Sequence, residues 1–299
     1  MRYRARKIYD IETDWVIDSL CNFDCHYCFS HSNVEFPATG KLSCEEIVKF
    51  FDNTGLIWLI HITGGEPFLY PNFVRLCQGL TKKHFININT NLTQGNVFDF
   101  AELIDPGRVT FINCGLHILE REKRNLVGDF LTKINLLKKK GFKFFVSYVM
   151  HPLLFQRFEK DFRYFKSKGV IIYPKALRGV FDGKRYPESY SKEEKRVFIK
   201  FSKRSEKLDK MRNISPAGVP IIDLTLDREF LKGKLDFQGK PCLAGKRFVR
   251  IWPSGVITRC GKKHILGNLF DSKLHLFKKE RKCDDYSCPY FCFKYSSKS

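Results

Sequence analysis

The sequence predicts an α/β fold with a parallel sheet, followed by a small β-hairpin unit near the C-terminus of the 299 residues. Two observations support this fold class. Short runs of β-branched and aromatic residues, typical of parallel strands covered on both faces, alternate with amphipathic helix patterns up to residue 177. That alternation then stops, and a Pro253-Ser254-Gly255 turn separates two apolar runs, residues 248–251 and 256–257, as in a hairpin.

The predicted strands and helices follow one another regularly along the first region. The strands are residues 15–19, 57–62, 85–89, 109–113, 144–149 and 170–173. The helix patterns between and after them occupy residues 47–52, 72–82, 97–104, 122–140 and 153–168. A capping box formed by Ser43 and Glu46 opens the first helix, and Gly141 and Gly169 follow the last two. Strands linked in this way pair in parallel through right-handed crossovers.

The middle of the chain has a different character. Residues 178–190 are a loop rich in Gly, Pro and Tyr, which could cover a substrate, and residues 191–212 are a strongly charged helix opened by a second capping box, Ser191 with Glu194. Residues 216–240 are a connector. The predicted regions are therefore residues 1–177, 178–240 and 241–299.

Composition and charge limit the cellular setting and the partners. No segment reaches the ~20 uninterrupted apolar residues that a membrane span needs, and the basic N-terminus lacks a signal-peptide core, so we expect a cytoplasmic protein. The formal net charge of +21 favours an anionic partner, such as a phosphorylated substrate or an acidic electron donor of the flavodoxin or ferredoxin type. Nucleic acid is less favoured because the lysines are spread over helical faces and form no nucleic-acid motif.

Three cysteines, Cys21, Cys25 and Cys28, are spaced C-x3-C-x2-C directly after a short apolar run. Three thiolates can hold three irons of a [4Fe–4S] cluster, and the missing fourth ligand leaves one iron open to a small molecule. A zinc site with His26 or His31 as the fourth ligand is the alternative. A disulfide framework is disfavoured because the chain has an odd number of cysteines, eleven.

A second motif, Gly64-Gly65-Glu66-Pro67, ends an apolar strand downstream of these cysteines. Glycines allow the backbone to approach a ligand closely, and Glu66 can accept a charge-assisted hydrogen bond from an ammonium group. By itself, this sequence is equally consistent with an ordinary strand-ending turn.

The cysteine triplet and the glycine turn, in this order, resemble the radical S-adenosylmethionine (SAM) superfamily. The resemblance implies that the predicted strands form a partial (β/α)6 barrel with ligands at the carboxyl ends of its strands. It also implies a [4Fe–4S] cluster whose open iron chelates SAM, while the Gly-Gly-Glu-Pro turn holds the SAM amino group. One electron then cleaves SAM to methionine and a 5′-deoxyadenosyl radical, which abstracts hydrogen from a substrate.

The resemblance also implies further SAM contacts. Tyr27 matches an aromatic position whose backbone approaches adenine, Asn89 lies at the end of the third strand, and Arg124 matches an arginine expected at the SAM carboxylate. A solvated helix-start arginine is the alternative for Arg124. Ser147 on the fifth strand could reach the SAM ribose or the substrate.

The fourth strand departs from the family pattern. Where many relatives have Ser-Leu-Asp, this chain has Gly115-Leu116-His117, so the usual serine contact to SAM is missing. His151, after the fifth strand, could reach SAM or the substrate, although a lone histidine at such a position is more often structural. Cys114 lies at the end of the fourth strand, where a thiol could donate a hydrogen atom.

Five cysteines form a second group near the C-terminus, as C-x12-G-x4-C around Gly255 followed by C-x4-C-x3-C. The arrangement resembles the SPASM/Twitch extension of radical SAM enzymes, which carries auxiliary clusters, and five cysteines suit the shorter Twitch form with one further [4Fe–4S] cluster. The first choice of ligands is Cys242, Cys260, Cys288 and Cys292, with Cys283 as the substitute. A structural zinc site is the alternative, because four thiolates suit zinc equally well.

The resemblance therefore implies a radical SAM enzyme of oxidoreductase or epimerase type. We expect a small, carbohydrate-like or anionic substrate. Peptide modification is the first alternative, RNA modification rests on charge alone, and a non-enzymatic iron–sulfur protein would require a triplet cluster that is inert towards SAM.

Overall fold

The first half of the chain folds into a parallel sheet whose strands stand in sequence order. The computed structural model describes residues 8–28, 42–209, 227, 228, 231, 236–261 and 263–286. The parallel strands are β1 (Ile11–Val16), β2 (Trp58–Thr63), β3 (Phe85–Thr90), β4 (Val109–Gly115), β5 (Phe144–Met150) and β6 (Ile172–Ala176). Among the described strands β6 pairs with β5 alone, so the sheet is open, as the predicted partial barrel requires.

Helices cover one face of this sheet. They are α1 (Cys44–Asn53), α2 (Phe73–Thr81), α3 (Val97–Leu103), α4 (Ile118–Lys123), α5 (Val127–Lys139), α6 (Phe155–Ser167) and α7 (Lys192–Asp209). The capping box of α1 is confirmed, because Ser43 Oγ accepts from Glu46 N at 3.2 Å and Glu46 Oε2 accepts from Ser43 N at 2.8 Å. The same reciprocal bonds join Ser191 and Glu194 at the start of α7. Residues beyond 209 of the predicted charged helix lie outside the described residues.

Two predicted elements differ from the structure. The predicted helix 122–140 is two helices, because the backbone at Asn125 turns into the left-handed region (φ 56°) and Leu126 N bonds back to Arg121 O. The first strand starts four residues earlier than predicted, at Ile11. The start of this strand was not predicted because its polar residues, Glu12 and Asp14, interrupt the apolar run, although both are buried.

The sheet separates an apolar outer core from a partly polar interior. On the outer face Trp58 packs against Phe51 of α1, with ring centroids 5.2 Å apart. Side chains alternate between the two faces of a strand, so Glu12, His61 and Asn87 belong to the inner face, the barrel interior. At the base of this interior lies an aromatic layer that includes Phe111, Phe145 and Tyr173.

The rest of the chain adds small β elements. The predicted loop 178–190 contains a hairpin of β7 (Gly179–Phe181) and β8 (Lys184–Tyr186). Near the C-terminus, β9 (Pro241–Cys242) pairs with β14 (Arg281–Lys282). Between them, the antiparallel strands are β10 (Phe248–Ile251), β11 (Val256–Cys260), β12 (Lys263–Asn268) and β13 (Lys273–Leu274).

The predicted hairpin 248–257 is present, but it is not a separate layer. Strand β10 pairs in parallel with β1, and Asp14 stands opposite Arg250 in that register. The barrel strands and β10 to β13 thus form one ten-stranded sheet, while β9 and β14 form a separate ribbon. Within the described part of the chain, no helix is long and apolar enough to cross a membrane.

Candidate metal and cofactor site

The three cysteines of the triplet lie in the loop that leaves β1, which we call the cysteine loop (residues 17–28). Cys25 is buried, and Cys21 and Cys28 are partly buried. Burial raises the pKa of the Cys25 thiol to about 12, and the neighbouring thiols of Cys28 and Cys21 act in the same direction. The three thiols therefore lie near enough to one another to interact electrostatically. Such thiols become thiolates when a cationic metal centre lies beside them.

Two consecutive strand ends hold the first half of the cysteine loop. After β3, Asn91 Nδ2 donates to Asn22 Oδ1 at 3.0 Å, and Thr93 Oγ1 accepts from Asn22 Nδ2 at 2.8 Å. After β4, Glu120 Oε2 accepts from Asp24 N at 3.2 Å. The loop is therefore fixed over the carboxyl end of the sheet, where ligands bind in barrels of this kind.

Three stacked aromatic rings hold the second half of the loop. The Tyr27 ring is nearly parallel to the imidazoles of His117 and His151, with interplanar angles of 24° and 29° and ring centroids 6.1 and 5.9 Å away. The Tyr27 hydroxyl lies 3.3 Å from His117 Nδ1, and His26 Nε2 lies 3.2 Å from His151 Nε2. His151 thus contacts the loop directly. The Nε2 end of the His26 ring is therefore turned towards His151.

The ligand geometry also bears on the zinc alternative. Among the described residues, no three His, Cys, Asp or Glu side chains are grouped as ligands of a single metal ion. A [4Fe–4S] cluster makes a different demand, since each thiolate binds its own iron. His31 lies outside the described residues.

The two glycines of the Gly64-Gly65-Glu66-Pro67 turn are required by contacts with the cysteine loop. A Cβ atom at Gly64 would collide with Asp18 O, and one at Gly65 would collide with Leu20 O. Gly65 N and Glu66 N donate to these same carbonyls at 2.9 and 2.8 Å. The close approach that we expected to serve a ligand is therefore an approach of two backbone segments, which fixes the start of the cysteine loop.

Glu66 is almost fully buried, and donors from the protein surround its carboxylate. Oε1 accepts from Phe68 N at 3.1 Å and from Thr90 Oγ1 at 2.7 Å, and Oε2 accepts from Asn91 N at 2.6 Å. Burial raises its pKa to about 7, against the effect of these hydrogen bonds. In the structure Glu66 thus joins the glycine turn to the end of β3, and its contact with an ammonium group stays a prediction.

The other predicted SAM contacts occupy different positions. Asn89 is partly buried on the inner face of β3, in register with Asn113, and Ser147 is buried on β5, in register with Gly115. Both lie at the carboxyl end of the sheet. Arg124 donates to Glu120 Oε2 through Nε at 3.2 Å and Nη2 at 3.0 Å, so two of its guanidinium nitrogens already have a carboxylate partner.

Arg121, which the sequence analysis missed, is a buried arginine at this end of the barrel. Its Nε donates to Leu116 O at 2.6 Å, its Nη2 donates to the carbonyls of Gly115 and Asn91, and its guanidinium lies 4.0 Å from the Phe130 ring centroid. Burial lowers its pKa to about 10. It lies in the same charged run as Arg124, and no local signal separates the two.

The barrel interior below this site is polar. Glu12 Oε2 lies 2.9 Å from His61 Nε2, and Asn87 bonds the other nitrogen of that ring. Arg250 Nη1 lies 3.1 Å from Asp14 Oδ2. These groups were missed because each stands in a strand otherwise built of apolar residues. Cys114, by contrast, faces the outer core, is fully buried and has a raised pKa owing to burial.

Three of the five C-terminal cysteines, Cys242, Cys260 and Cys283, lie among the described residues. Cys242 on β9 pairs with Arg281, and Cys283 N donates to Lys240 O at 2.8 Å, so the two cysteines are diagonal neighbours on one face of this ribbon. Arg259 ties the β11 end beside Cys260 to the same ribbon, donating from Nε to Ala244 O and from Nη2 to Lys282 O. Cys288 and Cys292 lie outside the described residues.

Comparisons with known proteins agree with this geometry. The family model of the radical SAM superfamily matches residues 16–165. The GTP 3′,8-cyclase of Synechocystis sp. is 29% identical over 134 residues, which cover 41% of this chain and 40% of the relative. That of Ectopseudomonas mendocina is 32% identical over 137 residues, 42% and 41% of the two chains. The chain thus spans about two fifths of the length of these curated relatives.

Solved structures share the fold over most of the chain. The structure of native anSMEcpe with bound AdoMet is 19% identical, has a TM-score of 0.60, and covers 87% of this chain and 78% of its own. Streptococcus suis SuiB is 14% identical, with a TM-score of 0.57 and coverage of 88% and 64%. At these identities the likeness concerns the fold.

Proposed function

The chain belongs to the radical SAM superfamily, and from that membership we propose that Cys21, Cys25 and Cys28 hold a [4Fe–4S] cluster at which SAM is cleaved. Such a cluster, when bound, supplies the electron that releases methionine and a 5′-deoxyadenosyl radical from SAM. The observation that carries the proposal is the cysteine loop itself. Its three thiols lie near enough to interact electrostatically, and the loop is held by the ends of β3, β4 and β5 and by the glycine turn.

The neighbouring residues have supporting tasks in this proposal. The glycine turn and Glu66 hold the loop and the β3 end in a fixed relation, so SAM meets a preorganised site. Tyr27, Asn89, Arg124 and Ser147 remain the proposed SAM contacts. Of these, Arg124 keeps donors beyond its bond to Glu120 that suit a carboxylate.

We further propose that the substrate is small and anionic or carbohydrate-like and that it binds in the barrel interior. Buried amides, a hydroxyl and the Asp14–Arg250 pair line that interior, and such groups recognise hydroxyls, amides and anions. The GTP 3′,8-cyclases, by their name, act on a phosphorylated nucleoside, which belongs to the same chemical class. Analysis of the reaction product would show whether the substrate is oxidised, epimerised or cyclised.

The C-terminal cysteines are proposed to hold a second [4Fe–4S] cluster. Cys242 and Cys283 lie on one face of the β9–β14 ribbon, Cys260 ends β11, and Cys288 and Cys292 follow the ribbon in sequence. Because Cys283 lies beside Cys242, we propose it as a first-choice ligand instead of a substitute. A structural zinc ion at the same thiolates is the competing occupant.

A peptide substrate is the second candidate function. It is favoured by two proteins of the same fold whose structures were determined with peptides, namely anSMEcpe with Cp18Cys peptide and SuiB with its precursor peptide SuiA. A peptide would have to enter the open edge of the same barrel.

Anaerobic reconstitution tests these proposals. We expect about eight irons per chain and formation of 5′-deoxyadenosine from SAM and dithionite. Cys28→Ala should abolish the nucleoside, Cys283→Ala should remove about half of the iron, and Cys44→Ala, outside both cysteine groups, should change neither. About four irons with full nucleoside formation would assign the C-terminal cysteines to zinc or structure. No nucleoside from a fully loaded protein would refute SAM cleavage.

The substrate class is tested by the same readout. A substrate accelerates 5′-deoxyadenosine formation, and deuterium at the abstracted position appears in the nucleoside. Nucleoside phosphates and sugar nucleotides should do so if the substrate is anionic. Acceleration by peptides alone would favour the second candidate.

A further inference from the structure

A buried cation lies among the described members of the second cysteine group. Arg259 on β11 directly precedes Cys260 and is 3% exposed. Its Nε donates to Ala244 O at 3.2 Å, and its Nη2 donates to Lys282 O at 2.8 Å and to Arg281 O at 3.3 Å. The guanidinium of this one residue therefore joins β11 to two other segments of the backbone.

Those two segments carry the other described cysteines. Ala244 follows Cys242 by two residues, and Cys242 Sγ accepts a hydrogen bond from Ala244 N at 3.4 Å. The carbonyl of Lys282 belongs to the peptide bond whose nitrogen is that of Cys283. Arg259 thus holds the ribbon that bears two of the cysteines against the end of β11 that bears the third.

The positive charge of Arg259 is only partly offset within the part of the chain that the structure describes. Its carboxylate neighbour there is Asp284, whose Oδ2 lies 3.7 Å from Nη1 and whose side chain is 46% exposed, so solvent screens this pair. The carbonyl partners satisfy hydrogen bonds but carry no net charge. A buried cation is costly unless an anion lies near it. A [4Fe–4S] cluster or a zinc ion held by four thiolates is such an anion, with a net charge of about −2.

We propose that Arg259 is a positioning residue of the second cysteine group, which holds the ribbon against β11 and offsets the negative charge of a thiolate-bound metal centre. This inference rests on the proposed second metal site. Because the partners of the guanidinium are backbone groups next to the cysteines, its charge lies close to the bound centre. Groups placed in this way orient the ligands of a metal, and the net charge around a cluster helps to set its reduction potential.

The test isolates the second site in the full chain with the substitutions Cys21→Ala, Cys25→Ala and Cys28→Ala. After anaerobic reconstitution with iron and sulfide, two quantities are measured: the chelator concentration that removes half of the iron, and the reduction potential followed by EPR. Arg259→Met should lower the first about tenfold or more, as expected when a group that orients metal ligands is lost. The clusters that remain should have a more negative potential, because a nearby positive charge favours the reduced form.

Two further variants separate charge from shape. Arg259→Lys keeps the positive charge and should keep the potential of the unsubstituted site. Arg259→Gln keeps an N–H donor without the charge, so it should show the negative shift even if Arg259→Met does not fold. Lys273→Met is the matched control, because it removes the same charge from an exposed position on β13. It should change neither the potential nor the retention of iron.

The outcomes distinguish the inference from the proposed second cluster. Unchanged iron retention in Arg259→Met would overturn the inference, and so would an unchanged potential in both neutral variants, which is the result expected if the arginine only connects strands. Circular dichroism shows whether each variant is folded. If the isolated site binds zinc and no iron, the proposed cluster is refuted instead. The retention of zinc against the chelator then tests Arg259, with the same order expected among the variants.

Discussion

His84 illustrates, at the scale of a single residue, how burial controls protonation in this protein. Its side chain is fully buried between α1 and the sheet, where Nδ1 accepts from Trp58 N at 3.3 Å and Nε2 lies 3.3 Å from Asp52 Oδ1. Burial lowers the pKa of His84 to about 4, although Asp52 acts in the opposite direction. The ring is therefore neutral in the folded protein at physiological pH.

This shift predicts a pH-dependent stability. Between about pH 6.5 and about pH 4 the unfolded chain binds a proton that the folded His84 does not, so stability falls as the pH falls through this window. The contribution is on the order of 1–3 kcal/mol. Urea unfolding from pH 7.5 to 4.5 should show the free energies of the wild type and His84→Asn, which keeps an acceptor but cannot be protonated, converging as the pH falls. A constant difference would contradict the prediction.

Residues of the site could be found in the sequence by motif, but their contacts could not. Cys21, Cys25, Cys28 and the glycine turn are recognisable because their spacing is local. Arg121 is not, because one of the carbonyls that it binds, Asn91 O, is contributed by the end of another strand. The role of the two glycines was likewise unpredictable, since the colliding atoms belong to the cysteine loop.

At the scale of elements, the glycine turn gives a sharp prediction. Gly65→Ala should prevent the normal packing of the turn on the cysteine loop, because the new methyl group would overlap backbone atoms of Leu20 that cannot move alone. Stability should fall by several kcal/mol, on the order of 2–4, and the triplet cluster should be lost. Thermal unfolding and the iron content measure both effects.

Gly128 provides the matched control for this variant. It lies in α5, its backbone is helical, and nothing lies within 4 Å of a Cβ atom there. Gly128→Ala should leave the iron content unchanged and raise the unfolding free energy by about 0.5–1 kcal/mol. Equal behaviour of the two alanine variants would show that the turn tolerates a side chain.

Elements were predictable where a local rule acts. The capping boxes at Ser43 and Ser191 marked the starts of α1 and α7 correctly. Strand β1 was misplaced because buried Glu12 and Asp14 interrupt its apolar pattern, and their partners come from β2 and β10. The break at Asn125 was missed because asparagine also occurs within helices, and only the left-handed backbone distinguishes the two cases.

At the scale of the whole molecule, the C-terminal strands complete the sheet edge that the barrel leaves at β1. The sequence predicted the hairpin but assigned it to a separate region, because pairing between β1 and β10 joins segments more than two hundred residues apart. Trp15 of β1 and Trp252, which follows β10, line a common cavity. The joint is therefore both hydrogen-bonded and packed.

A continuous sheet predicts that the barrel and the C-terminal strands unfold together. Two double variants make the tryptophans reporters for the two parts. Trp15→Phe with Trp252→Phe leaves Trp58 of β2 as the only tryptophan of the sequence, whereas Trp15→Phe with Trp58→Phe leaves Trp252. Anaerobic urea unfolding followed by fluorescence should give the same midpoint in both backgrounds. Two separate midpoints would assign the C-terminal strands to an independent domain.

A core substitution in β10 tests the coupling further, because strand β1 separates β10 from Trp58 of β2. Ile251 is fully buried, so Ile251→Ala should lower the unfolding free energy by about 2–5 kcal/mol. In a single cooperative unit the loss appears equally at Trp58, although that residue lies on another strand. In two independent domains, only Trp252 would report it. Ile265→Ala is the matched control, since Ile265 on β12 is 66% exposed and its loss should move neither transition. An equal shift at both tryptophans would mean that β10 and β11, which ends at Cys260, are held by the same sheet that positions the cysteine loop.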